Sequence, residues 1–109
     1  ASKKKPVEDR ASLFRKLAEA TNRQEISRAA EKYLSRFSLP DDHEFLEQIL
    51  EHEKESRIRE AMTRIGELLD RRHLPRRPRA LVGKLRYLTE TSFSDDIREL
   101  ARNLLSRLS

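Results

Sequence analysis

Apolar residues in this chain fall into a two-part pattern that recurs three times. Leu13, Phe14 and Leu17 are followed by Ile26, Ala29, Ala30, Tyr33 and Phe37. Shifted by 32, the same places hold Phe45, Leu46 and Ile49, then Ile58, Ala61, Met62, Ile65 and Leu69. A further shift of 39 brings Leu85 and Leu88, then Ile97, Leu100, Ala101, Leu104 and Leu108. Spacings of three and four residues place each set along one side of a helix. The step from the first part to the second is 13 residues in every copy (Leu13 to Ile26, Phe45 to Ile58, Lys84 to Ile97), so the variation in length falls between copies. The pattern predicts an all-α domain of about six helices arranged as three stacked antiparallel pairs, over residues 7–37, 41–71 and 78–108. Repeated helix pairs bury their apolar faces on neighbouring copies and leave an extended surface for binding.

Boundary signals agree with this division. Residues 1–6 form a basic tail, and the first helix begins between Val7 and Arg10, where Glu8 and Asp9 suit the positive end of a helix dipole. It ends near Ala20. Asn22 and Glu25, three apart, make a capping pair for a second helix that runs to Phe37 and stops before Pro40. Asp41 and Glu44 repeat the spacing ahead of Phe45. Residues 51–57 hold neither glycine nor proline, and Ser56 is the one candidate cap there. One continuous helix over 42–71, within an irregular five- or six-helix bundle, therefore stands beside the three-pair reading. Two prolines, Pro75 and Pro78, end the middle copy; Pro78 fits the first turn of a fifth helix, and Ser94 can cap a sixth. Gly66 and Gly83 lie inside predicted helices, where close helix approach would account for them.

The pattern resembles HEAT or armadillo-type repeats. The residues that carry the resemblance are Ile58-Arg59-Glu60-Ala61 and Ile97-Arg98-Glu99-Leu100-Ala101, with Leu68-Leu69 and Leu104-Leu105 further on. It covers residues 9–108; the first copy departs from it, with Ile26-Ser27-Arg28-Ala29 and no Leu-Leu pair. The resemblance implies a scaffold or adaptor that binds protein or nucleic acid and carries no chemistry of its own.

Composition narrows the partners. Charged residues make up 39% of the chain, which at helical spacing means exposed helix faces. With no cysteine there is no disulfide framework or thiolate site. No apolar run reaches about 18 residues, and residues 1–10 hold no signal-peptide core, so a cytoplasmic address is expected. Net charge is uneven: residues 1–40 carry +5, residues 41–70 carry −6 and residues 71–109 carry +6. Either the copies attract one another, or a basic patch faces an anionic partner.

Candidate chemistry is sparse. His43 and Glu47 stand one helical turn apart, but the His-Glu-x-x-His zinc pattern lacks its second histidine. His52 falls in the charged run 51–55 and reads as exposed. Glu47, Glu51 and Glu55, four apart, read as a solvated acidic stripe. No catalytic constellation, metal site or cofactor is predicted.

Two surfaces remain as binding candidates. One is the linker with Arg71, Arg72, Arg76, Arg77 and Arg79, continued by Lys84 and Arg86. Its guanidinium groups match phosphates, and Tyr87 is the nearest aromatic. The other is the open face of the second helices, where Arg28, Lys32 and Arg64 project beside Glu60, Glu99 and Asn103. The expected function is a non-enzymatic interaction module that binds another protein. Nucleic acid held by the linker is the second reading, and self-association through the end faces of a short array the third.

Overall fold

Six helices form where apolar spacing coincides with a stop and a start in the backbone. A computed structural model describes residues 9–108; the basic tail and the Val7 end of the first helix lie outside them. The helices are α1 Arg10–Glu19, α2 Arg23–Leu34, α3 His43–Ile49, α4 Glu55–Asp70, α5 Pro78–Thr91 and α6 Asp95–Leu108. Asp9 caps α1 by accepting from the Ser12 N–H at 2.8 Å, and Asn22 caps α2 by accepting from Glu25 at 2.9 Å. The Glu25 carboxylate reaches back to the Thr21 N–H at 3.0 Å, one residue before the cap.

Several expected boundaries shift. α2 ends at Leu34, three residues short of Phe37, in a turn that leads into Pro40. Asp42, not Asp41, caps α3 by accepting from the Phe45 N–H at 2.9 Å. Asp41 is instead drawn to Arg64 and Arg71. The continuous central helix is not formed. Leu50 closes α3, and Lys54 takes the N-cap place of α4 without a side-chain cap, so Ser56 has no capping role. Ser94 donates its hydroxyl to the Asp96 carboxylate, while its carbonyl receives the Arg98 N–H at 3.1 Å.

Helices pair in chain order, α1 with α2, α3 with α4 and α5 with α6; α1 and α2 both rest on α3, and α4 rests on α6. The result is elongated, 55 × 30 × 19 Å. Each helix sends its periodic apolar residues into one core, among them Leu13, Ile26, Leu46, Ile65, Leu85 and Ile97. Each such side chain contributes roughly 1.5–3 kcal/mol by leaving water. Where the first two pairs meet, rings pack: Tyr33 lies 4.7 Å from Phe45 and 5.3 Å from Phe37, and Phe14 lies 5.3 Å from Phe45. The Tyr33 hydroxyl accepts from Arg10 at 2.8 Å. Among the described residues no helix is long and apolar enough to cross a membrane.

Neither interior glycine is required by close approach. A Cβ at Gly66 would meet Leu104 and Arg107 of α6 at ordinary contact distances of 3.7 and 3.5 Å, and one at Gly83 would meet nothing within 4 Å. Gly83 therefore lowers the helical propensity of α5 with no packing in return. Substituting Gly83→Ala is expected to raise the unfolding free energy by about 1 kcal/mol, measured by urea denaturation. An unchanged or lower midpoint would contradict an open flank at this position.

Candidate functional site

The basic linker is shaped by the way α4 ends. Arg71 forms the C-cap, and Arg72 adopts a left-handed φ of 63°. The Arg72 N–H then donates to the Leu69 carbonyl at 2.9 Å and the His73 N–H to Leu68 at 2.8 Å, the two bonds of a Schellman turn. The His73 carbonyl in turn lies 2.7 Å from Nε2 of buried His43, which places the donating proton on that nitrogen. The first turn of α3 thus anchors the linker. Arg71 extends to Asp41 at 3.2 Å. The chain then runs through Pro75 to Pro78, the first residue of α5, with Arg77 in the N-cap place and no side-chain cap.

This backbone path divides the predicted arginines. Arg71 is tied to Asp41, while Arg77 is exposed and contributes field to Glu47. Arg72, Arg76 and Arg79 are exposed, as is Arg86 on α5, and none has an ion-pair partner among the described residues. Lys84 separates from this set. It is half-buried and points to α3, 2.6 Å from Glu51 and 3.8 Å from Glu47. Burial pushes the Glu47 carboxyl above its ordinary value, with Lys84 opposing. The supposed acidic stripe is thereby dissolved: Glu47 is half-buried in α3, Glu51 follows that helix, and Glu55 opens α4.

The second predicted surface is partly engaged within the chain. Arg28 and Lys32 are exposed on α2. Arg64 is not free; its guanidinium donates to the Leu39 carbonyl at 2.9 Å and to Asp41 at 2.8 Å, and contacts Glu67 at 3.1 Å. It fixes the α2–α3 connection to α4. A shallow groove of about 490 Å³ runs beside it, lined by Leu34, Ser38, Leu39 and Thr63 with Arg57, Arg59 and Arg64. All three arginines are paired within the chain: Arg57 with Glu31, Arg59 with Asp96 and Arg64 with Asp41.

His52 departs furthest from expectation, at 1% exposed. Its Nδ1 accepts the Lys54 N–H at 2.9 Å, and its Nε2 lies 2.9 Å from Glu31 Oε2, off the line of a straight hydrogen bond. Glu31 also takes Arg57 at 2.7 and 3.2 Å and Lys54 at 3.6 Å. The Arg57 hydrogen bond is the main reason its carboxyl is held down to about 2. Loss of water at the buried ring lowers the His52 pKa, and Glu31 resists the shift. Asp96 is likewise held to about 2, first by Arg59 and then by Ser94. Among the described residues no group of three histidines or carboxylates is placed to hold a metal ion.

Sequence reasoning missed three exposed apolar residues. Leu74 is 69% exposed in the linker, Tyr87 65% on α5 and Phe93 98% in the α5–α6 turn. The sequence places Tyr87 near the arginines, and the structure adds that it faces outward. The signal was available: position 87 lies opposite Leu81, Leu85 and Leu88 on a helical wheel, with Gly83 one turn before it. No protein-family model, curated protein or solved structure matches this chain.

The His52 cluster makes stability depend on pH. The unfolded histidine titrates near 6.5 and the folded one lower, so the folded state binds the proton less readily. Stability is therefore complete above about 6.5 and declines as pH falls toward the depressed value, by about 1.4 kcal/mol for each unit of depression. Glu31 adds a second loss below its ordinary 4.5, continuing to about 2. In urea titrations between pH about 8 and about 5, His52→Gln is expected to flatten the first decline. A variant as pH-sensitive as the parent would assign that decline elsewhere.

Proposed function

We propose that this chain is a non-enzymatic interaction module of the scaffold kind, and that its partner is an anionic macromolecule held along the α4–α5 connection and the outer side of α5. One observation carries the reading: Arg72, Arg76, Arg79 and Arg86 are exposed without an ion-pair partner among the described residues, beside exposed Arg77. The other charged surface offers less, because the guanidinium of Arg64 is engaged on three sides. The stapling of the linker to α3 through His43 and His73 supports the same reading. A loop already held in place loses less conformational entropy on binding. The buried histidines favour a structural role, since both hold backbone groups at chain reversals. A cytoplasmic address remains part of the proposal.

The helical-pair pattern suggests an acidic protein segment as that partner, and the arginine-rich linker suggests nucleic acid. Both present closely spaced negative charge, and heparin serves as a probe common to them. The Arg76/Arg77/Arg79 triple alanine variant is expected to leave a heparin column at clearly lower salt than the parent. An Arg23/Arg28/Lys32 triple alanine variant, with the same loss of charge on α2, is expected to elute much closer to it. Equal shifts for the two variants would reduce retention to net charge. A larger shift for the α2 variant would move the binding surface to the second helices.

A further inference from the structure

We infer that the outer face of α5 and the linker arginines bind single-stranded nucleic acid, with Tyr87 as the platform on which a base stacks. This rests on the polyanion-binding reading above and names the partner. At about 100° per residue, Arg79, Gly83, Arg86 and Tyr87 fall within an arc of about 100° on α5. Leu81, Leu85 and Leu88 are buried on the other side. The linker brings exposed Arg76 and Arg77 to the N-terminal end of α5, Arg77 near enough to Glu47 of α3 to act on its charge, while Glu90, exposed three residues after Tyr87, stands toward the other end of the helix.

Tyr87 contributes little to the fold from this position. It is 65% exposed, whereas the other tyrosine, Tyr33, is fully buried among three phenylalanines. One turn before Tyr87, on the side toward which helical side chains lean, stands residue 83. That site is glycine, and the space where a Cβ would stand is open to at least 4 Å. The helix surface one turn before Tyr87 is therefore bare, on the face that also carries exposed Arg79 and Arg86, and a planar base has room there. Stacking of this kind tolerates any base, and arginines along the backbone supply phosphate contacts.

The residue types favour this partner over the alternatives. The unpaired cations here are all arginine, whose planar fork matches phosphate oxygens in pairs. The single lysine of α5, Lys84, turns inward to Glu47 and Glu51. A protein ligand draws most of its affinity from apolar anchors in pockets. Two grooves among the described residues lie away from this face, around Leu34, Leu39 and Phe37. A duplex keeps its base faces stacked inside and would leave Tyr87 unused.

Fluorescence anisotropy with a labelled single-stranded DNA of about 16 nucleotides, its duplex and poly-glutamate tests the inference on the full chain. The single strand is expected to bind more tightly than the duplex. Its log affinity should fall with log salt at a slope of about −2.8 to −3.5 for four to five phosphates, and the slope should shrink by about 2 in the Arg76/Arg77/Arg79 triple alanine variant. Tyr87→Ala is expected to weaken binding by about 5- to 150-fold at unchanged slope, with Tyr87→Trp restoring it. Parental affinity in Tyr87→Ala, or tighter binding to the duplex, overturns the inference. Arginine-dependent binding of poly-glutamate without the single strand also overturns it, yet leaves the polyanion reading standing. No binding of any probe at low salt overturns both.

Discussion

The reversal between α3 and α4, where the sequence holds neither glycine nor proline, gathers around one carboxylate, Glu31, which meets the side chains of His52, Lys54 and Arg57. Between α3 and α4 the chain must reverse, and every backbone N–H exposed by the reversal needs an acceptor. Leu50, Glu51 and His52 donate back to carbonyls three residues earlier, tightening the last turn. Glu53 donates to the Ser27 hydroxyl at 2.9 Å, and Lys54 to Nδ1 of His52. His52 can sit in that position because Glu31 on α2 receives its other face and also draws in Lys54 and Arg57. The turn is thus assembled from three elements at once.

This explains how far the sequence could be read. Elements fixed by local chemistry were legible: the Asn22 cap, and Pro78 opening α5. Elements fixed across the chain were not. Asp41 and Asp42 are identical as potential caps. Asp42 takes the role because Arg64 and Arg71, both distant in sequence, engage Asp41. His52 in a run of glutamates and a lysine carries the local signature of a wet surface, and its burial depends on a carboxylate 21 positions earlier.

The candidate site was half legible for the same reason. Nine residues with five arginines announce a basic segment in any fold. Which of them stay available depends on where the acidic middle of the chain finds its partners. That middle is largely neutralised from inside: Asp41 by Arg64 and Arg71, Glu51 by Lys84, Glu60 by Arg57, and Asp70 by Arg107. Between the basic and acidic parts of the chain the attraction runs through Arg71, Lys84 and Arg107 of the last third, while Arg57 and Arg64 belong to the acidic middle itself.

The remainder is a surplus, and its position matters more than its size. Arg72, Arg76, Arg77, Arg79 and Arg86 stand close in the chain and exposed, so in the folded state they repel one another. Arg72 in addition holds a left-handed φ that glycine would adopt more easily. Nothing in the packing of α4 or α5 rewards these choices, since the apolar sides of both helices are complete without them. An exposed tyrosine and a helix-weakening glycine on the same face extend the pattern. Features that each oppose folding and coincide on one surface are expected where a surface is shaped for a ligand instead of for stability. On that argument the outer side of α5 is the surface proposed for a ligand, and the core of the other helices holds it in place.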